Sequence, residues 1–296
     1  MKNKNVWIHA DDYGLSRQTS AQILECCLKG QLDGISILPN FSCFEADMKA
    51  LREAFPKFPK EVTCSVHLNL MEGPCLADKN EVTDLADETG FLCRSWGSLF
   101  LASFLPGRKK LQEQLEKEIA AQIQKVTRAL GENRKIWVDG HQHTQMIPVV
   151  FDALCQVIQR EGYQAVYIRN SAEPLWPFVK QLSLWKTYRP VNFVKNLILN
   201  LCAWYAEPKM RKLGCKPMCL WGLVMSGHMD SARVSRILPD MLEKAEKNQR
   251  QLEILFHPGS MAKEEINNEY NSAEALEFYF SEGRVIEKAA LELVGR

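Results

Sequence analysis

Six histidines and one pair of adjacent aspartates carry most of the chemistry this chain can perform. The pair sits in Ile8-His9-Ala10-Asp11-Asp12-Tyr13-Gly14, at the end of a run that reads as a buried strand. Neighbouring carboxylates in such a place are costly unless hydrogen bonds or a cation hold them. One of the two can be explained as the cap of a helix starting near Ser16. The other needs a partner, and a divalent metal supplies one. The histidines point the same way. His9 and His67 lie in or near the ends of strand-like runs, His141 and His143 follow Trp137-Val138-Asp139-Gly140, and His257 ends Ile254-Leu255-Phe256. Only His228 lies several residues beyond a strand. A single histidine in a strand is more often a hydrogen-bonded core residue than a ligand. Five at strand ends, with carboxylates beside them, reverse that expectation.

The elements that must position these groups are readable from periodicity. Strand-like runs at 5–10, 34–39, 62–70, 135–140, 164–169, 219–225 and 252–257 alternate with amphipathic stretches. The clearest stretch is 109–130, with Leu111, Leu115, Ile119, Ile123, Val126 and Leu130 at steps of three and four and Gly131 as its stop. Stretches 235–247 and 273–293 read as helices too. Such alternation predicts a parallel sheet covered by helices. Neither G-x-G-x-x-G nor G-x-x-x-x-G-K-[ST] is present, so no nucleotide-binding signature favours an open doubly wound sheet. The expected fold is therefore α/β, a single-domain (β/α) barrel of about seven parallel strands over residues 1–296, with reacting groups at the C-terminal strand ends.

Composition narrows the class. With 296 residues, 46% hydrophobic, 25% charged and a formal net charge of +1, the chain is an ordinary globular protein. Lys+Arg at 37 nearly cancel Asp+Glu at 36, which excludes a general nucleic-acid-collecting field. The ten cysteines form no C-x-x-C pair, so a structural zinc site is poorly supported and a reducing, cytoplasmic location is expected. The opening Met-Lys-Asn-Lys-Asn leaves no room for a secretory hydrophobic region. No stretch qualifies as a membrane span. In the most apolar one, 191–206, Asn192, Asn196 and Asn200 would line one helical face opposite Leu197, Ile198, Leu201 and Trp204. A buried helix or a homodimer contact is the expectation there, with contact to a membrane surface as the minority reading. The helical, aromatic-rich insertion at about 173–217, with Trp176, Trp185, Tyr188, Trp204 and Tyr205, is read the same way, with stacking on a sugar ring as the alternative.

At this point the motifs resemble a family. His9-Ala10-Asp11-Asp12-Tyr13-Gly14-Leu15-Ser16 resembles the N-A-D-D-F-G-L-S opening of the YdjC-like carbohydrate deacetylases. Val66-His67-Leu68-Asn69-Leu70 with Gly73-Pro74, and Asp139-Gly140-His141-Gln142-His143, are similar to two further segments of that family. Glu253 through His257-Pro258-Gly259, and Ser281 with Arg284 and Glu287, look like its two C-terminal patterns. The resemblance implies a distorted barrel holding one divalent metal through Asp12, His67 and His141. It further implies Asp11 as the catalytic base, His257 as a second catalytic or substrate-binding group, and Arg169 as the residue that orients the catalytic carboxylate. Two positions depart from the family. His9 stands where asparagine is usual, and Gln145 where a third histidine of the D-x-H-x-H-x-H pattern is expected.

The residue types agree with that chemistry. Three protein ligands leave positions open for water and a substrate carbonyl, as a hydrolytic metal site requires. A carboxylate beside the site can take a proton from water, and a histidine across it can protonate a leaving amine, with His143 a rival to His257. His143 is expected to contact substrate, and His9 either to contact it or to alter the pKa of the base beside it. Asp/His ligation suits zinc, manganese, iron or cobalt, and the resemblance adds magnesium. The implied substrate is an N-acetylated sugar or oligosaccharide, or a glycolipid carrying one. The competing readings are a metal-dependent phosphoesterase and a non-catalytic sugar-binding protein.

Overall fold

The computed structural model describes residues 5–188 and 190–294. The reading of residues 1–4 as free of a leader falls outside the described residues.

Seven strands make one sheet: β1 (Val6–Tyr13), β2 (Gly34–Ile37), β3 (Thr63–Leu68), β4 (Lys135–Gly140), β5 (Gln164–Ile168), β6 (Met218–Trp221) and β7 (Gln251–Phe256). Every pair is parallel, in the order β5-β4-β3-β2-β1-β7-β6. The sheet curls into a half-barrel whose edges, β5 and β6, share no ladder among the described residues. Its helices are α1 (Arg17–Leu28), α2 (Phe44–Ala54), α3 (Trp96–Ala102), α4 (Arg108–Ala129), α5 (Pro148–Glu161), α6 (Trp176–Lys180), α7 (Pro190–Lys212), α8 (Ser231–Lys247), α9 (Ala273–Tyr279) and α10 (Glu282–Val294). The expected α/β barrel of seven parallel strands is thus present. The single helix expected over 273–293 is instead two, parted at Phe280-Ser281. That break lets Tyr279 and Arg284 both reach the centre of the molecule.

Because side chains alternate along a strand, each strand sends every second residue into the curled interior. At its lower end Trp7, Trp137, Tyr167 and Met218 pack together, Trp7 lying 5.2 Å from Trp137 and 5.8 Å from Tyr167 between ring centroids. Burying each such large side chain stabilises the fold by roughly 1.5–3 kcal/mol. Higher up the same alternation delivers polar groups: His9 and Asp11 from β1, Ser36 from β2, His67 from β3 and Asp139 from β4, all buried. The outer faces of the strands pack against the helices. On α4, Leu115, Ile119, Ile123 and Val126 are fully buried, and Gly131, at φ +97°, ends it.

Helix α7 is not the buried helix offered as one reading of it. Its asparagine face points inward: Asn196 is fully buried and donates to the Glu173 carbonyl and carboxylate (both 3.2 Å), and Asn192 donates to the Val224 carbonyl (3.1 Å). The apolar residues Leu197, Leu201 and Trp204 face solvent. The reason is the open edge between β5 and β6. Glu173, in the segment after β5, accepts backbone N–H groups from Gly222 (2.7 Å), Leu223 (3.1 Å) and Val224 (2.8 Å) in the segment after β6. A carboxylate and the asparagines beneath α7 thus replace the missing strand ladder.

Burial lifts the Glu173 carboxyl from 4.5 to about 7, against the pull of the backbone donors and Asn196. Its folded value is above its unfolded one. The stability it contributes is therefore complete below the unfolded value and is lost as pH rises through about 7. Glu173→Gln should destabilise the protein by about 1–3 kcal/mol, since it turns a donor toward backbone N–H groups. The penalty should be larger at pH 5 than at pH 8, as read by urea unfolding at both.

Candidate metal centre

Asp11 and Asp12 are neighbours in sequence, yet both turn toward the same upper end of the half-barrel. Alternation alone would send them to opposite faces. The register of β1 against β2 shifts between Ala10 and Tyr13, and Asp12 takes a left-handed backbone, φ +73°. Such a conformation is uncommon outside glycine and costs on the order of 1–3 kcal/mol, though aspartate tolerates it better than most residues. Gly14 follows, at φ +90°, where an added Cβ would lie 2.7 Å from the Leu38 carbonyl oxygen. Neither aspartate caps α1: Ser16 does, its hydroxyl accepting from the Thr19 N–H at 3.2 Å. The helix-cap explanation therefore accounts for neither, and both need partners.

Asp12 Oδ2 accepts from Arg284 Nη1 at 2.7 Å, and that guanidinium holds its carboxyl well below the usual range despite burial. The other oxygen, Oδ1, is buried and has no hydrogen-bond donor. It lies 3.2 Å from His141 Nδ1 and 3.6 Å from His67 Nε2. Asp12, His67 and His141 thereby offer three ligand atoms within 4.8 Å of one another.

The supports behind the two imidazoles fix their tautomers. His67 Nδ1 is 2.6 Å from Asp139 Oδ1, so it carries the proton and leaves Nε2 with a lone pair. His141 Nε2 is 2.9 Å from the Tyr279 hydroxyl, which itself donates to Glu72, so Nε2 donates and Nδ1 keeps the lone pair. Three unprotonated donors facing one point are mutually repulsive unless positive charge lies between them. Protons on the two imidazoles can supply that charge in place of an ion. Burial opposes charging, but Asp11, Asp12 and Asp139 carry His67 up to about 10, and Asp12 and Glu72 carry His141 up to about 9. The donor set fits a divalent ion of the transition series, one carboxylate and two imidazoles each backed by an outer partner.

A second group, His9, Asp11 and Asp139, also lies within 4.8 Å, but its centre is taken. The Ser36 hydroxyl is 2.5 Å from His9 Nε2, 2.6 Å from Asp139 Oδ2 and 3.0 Å from Asp11 Oδ1. The positive charge there is Arg169, which forks onto both oxygens of Asp11 (2.8 and 2.9 Å) and reaches Glu253 at 2.8 Å and Asp139 at 3.3 Å. Despite burial, Arg169 holds the Asp11 carboxyl ionised, far below the ordinary range. Asp11 Oδ2 lies 3.9 Å from His67 Nε2, at the edge of the metal cluster.

His9 does not offer the substrate contact expected of it. Its ring has no exposed surface and stacks edge-on against Trp7 at 4.6 Å; burial, then Arg169, lowers it to about 3, so it is a neutral part of the site's floor. The 141–143 segment is not extended. Gln142 and His143 are left-handed (φ 52° and 60°), and the half-buried His143 turns away to Ser171, Nδ1 to Oγ 2.9 Å. Gln145 holds that segment down, donating to the Arg169 carbonyl and to Ser171 (both 3.1 Å). His257, just after β7, is partly exposed. Its backbone N–H donates to Glu287 at 2.6 Å, its ring meets Phe278 edge-on at 5.2 Å, and its side chain is 15% exposed. Ser36, Glu72 and Tyr279 escaped the sequence reading. Ser36 alone left a signal, a hydroxyl in the middle of the apolar run Gly34-Ile35-Ser36-Ile37.

A parallel half-barrel with an Asp-His-His cluster at the C-terminal ends of its strands is an α/β architecture with a candidate metal site. The chain belongs to the YdjC-like protein family, whose model matches residues 5–292. It is similar to the carbohydrate deacetylase of Homo sapiens, 28% identical over 169 residues that cover 57% of this chain and 48% of that protein. The Mus musculus carbohydrate deacetylase is 27% identical over 156 residues, 52% of this chain and 47% of that one. That of Thermoanaerobacter pseudethanolicus is 25% identical over 158 residues, 53% of this chain and 57% of that one. These matches span about half the length of those relatives. In fold, the chain resembles a crystal structure described as a cellobiose-phosphate cleavage protein of Enterococcus faecalis, with TM-score 0.61, 16% identity and coverage of 98% of this chain and 94% of that one.

Asp139→Asn keeps the side-chain shape but loses the carboxylate behind His67. Metal affinity should fall ~10–100-fold by calorimetric titration, with the helical circular-dichroism signal unchanged. Unaltered affinity would show that Asp139 does not support a ligand.

Proposed function

We propose that this protein is a metal-dependent carbohydrate deacetylase that hydrolyses the N-acetyl group of an acetylated amino sugar and releases acetate. The reading rests on one observation above others: a single Asp12-His67-His141 cluster with the ionised, Arg169-clamped Asp11 at its edge. The carbohydrate-deacetylase relatives support the substrate class.

Asp12, His67 and His141 would hold the ion, which when bound polarises the amide carbonyl and acidifies water. The remaining roles fall to the chain's own groups. Asp11 accepts the proton from the attacking water. Arg169 fixes the direction of that carboxylate and keeps it ionised. His257, just after β7, donates a proton to the departing amine, while Glu287 holds the backbone beneath it. His143 lines the sugar's approach from the segment after β4. Two observations weigh against a phosphate ester as substrate: the second acidic cluster is filled by Ser36 and Arg169, and both buried guanidiniums are committed to carboxylates. The ten cysteines, all unpaired, suit a reducing compartment, and among the described residues no helix is long and apolar enough to cross a membrane.

The direct test is acetate release from a panel of N-acetylated sugars by protein stripped of metal and then reloaded with zinc, magnesium, manganese, cobalt or iron. Release that depends on reloading supports the proposal; none from any pairing refutes it. Asp11→Asn should retain metal and lose ~10²–10⁴-fold in rate, the usual worth of a general base. Equal metal loss in Asp11→Asn and Asp12→Asn would make both ligands. His257→Ala should slow amide substrates far more than activated esters, whose leaving groups need little protonation. If both substrate types suffer alike, or only His143→Ala separates them, His257 is not the acid.

A further inference from the structure

Helix α7 exposes an apolar stripe along its N-terminal part, from Val191 to Trp204. Val191, Val194, Leu197, Leu201 and Trp204 recur at steps of three and four and are 52–80% exposed, Trp204 the most. Over thirteen steps at ~1.5 Å per residue the stripe runs about 20 Å. Trp185, just before α7, and Trp176, in α6, are exposed as well. A run of this kind on a soluble surface marks something it rests against. The inner, asparagine face of the helix is already consumed by Glu173 and the segment after β6, so no rotation of α7 could bury the stripe.

Charge indicates what covers it. The first turn of α7 has no acidic residue, and its last turn carries Lys209, Arg211 and Lys212. The acid within α7, Glu207, is bound by Arg211 and Arg250. Lys195, 59% exposed, stands beside the stripe, 4.0 Å from Glu274 of α9. At the C-terminal end, Asp152 of α5 ties Tyr205 and Lys209 of α7 to Arg108, and just ahead of Arg108 lie the exposed Phe104 and Leu105, with exposed Lys109 and Lys110 after it. Apolar residues with tryptophans, bordered by lysines and arginines, complement an anionic bilayer. The border also holds the acids Asp152, Glu207 and Glu274, but cations outnumber them, and a second copy of the chain would bring the same excess of cations to the seam.

We infer that the outward stripe of α7 docks this protein on an anionic membrane surface. The stripe is too short to span a bilayer and lies along it instead. Its N-terminal half flanks the metal centre: Asn192 holds the segment after β6, and Lys195 faces α9, whose last residue Tyr279 supports His141. Docking therefore brings the centre to the lipid headgroups, where an acetylated sugar on a lipid would be presented. That last step rests on the deacetylase reading; the docking does not.

The test is co-sedimentation of the metal-loaded protein with phosphatidylcholine vesicles, with and without phosphatidylglycerol, alongside sedimentation velocity of the protein alone. Wild type should bind the anionic vesicles and be monomeric without them. The double variant Leu201→Asp/Trp204→Asp, at exposed positions, should weaken binding by roughly tenfold or more and keep wild-type acetate release from a water-soluble N-acetylated sugar. Lys195→Glu/Lys212→Glu should weaken binding to the anionic vesicles alone. A wild type that ignores both kinds of vesicle overturns the inference. So does a dimer that the Leu201/Trp204 pair dissolves, for then the stripe belongs to a second copy. Vesicle binding without acetate release from any sugar would retain the docking and remove the deacetylase reading.

Discussion

The interaction on which the rest depends is the crowding of buried negative charge at the upper end of the half-barrel. Asp11, Asp12, Glu72, Asp139, Glu253 and Glu287 are all buried there, and the permanent cations among them are Arg169 and Arg284. Buried charge is tolerable only where it is paired. Arg169 settles the lower part by binding Asp11, Asp139 and Glu253 together. Arg284 takes one oxygen of Asp12 and leaves the other facing two imidazole lone pairs. What remains is a point where a cation is favourable and an apolar or neutral group is not. The lower cluster is thus structural in its charge balance, and the upper one is suited to ligation.

That separation depends on a backbone irregularity. A regular β1 would place Asp11 inside and Asp12 outside among the helices, where an unpaired carboxylate is untenable. The register shift and the left-handed Asp12 bring both inside, one against Arg169 and one against Arg284. The strain is compensated by two charge-assisted pairs, each stronger than an ordinary hydrogen bond. Arg284 reaches Asp12 because α9 and α10 are separate helices, and its Nε donates to the Gly259 carbonyl at 2.7 Å, which joins the turn after His257 to the same carboxylate. Sequence-distant motifs are therefore one mechanical unit.

Much of this was legible from the sequence because strand ends and histidines coincide. The strand expected at 135–140 is β4 residue for residue, and Asp12, His67 and His141, read from the motifs, do lie together. Features made by tertiary contact were not legible. Periodicity cannot reveal a bulge, so β1 was expected to stop at residue 10 and runs to Tyr13. Nor can it reveal left-handed residues such as His143, whose side chain turns to Ser171. Glu72 and Tyr279 are separated by 207 residues and meet only because α9 folds back over β3 and β4. Of the two roles read for His9, its place two residues below Asp11 on the same strand face, in the buried floor, favours an influence on Asp11 over contact with substrate.

Helix α7 shows how one topological choice propagates. A closed barrel would hydrogen-bond its first and last strands and need nothing polar between them. Here β5 and β6 share no ladder: Lys216, just before β6, donates its N–H to the Val166 carbonyl (2.8 Å), and the N–H groups just after β6 are satisfied by a side chain. Glu173 supplies the acceptor, and Asn192, Asn196 and Asn200 supply donors that hold the carboxylate and the segment after β6. The helix carrying those asparagines must face inward with its polar side, so its apolar residues turn outward. The exposed stripe is therefore not an independent feature laid on the surface. It follows from the open edge, and the same edge sets it beside the end of β5, where Arg169 directs Asp11.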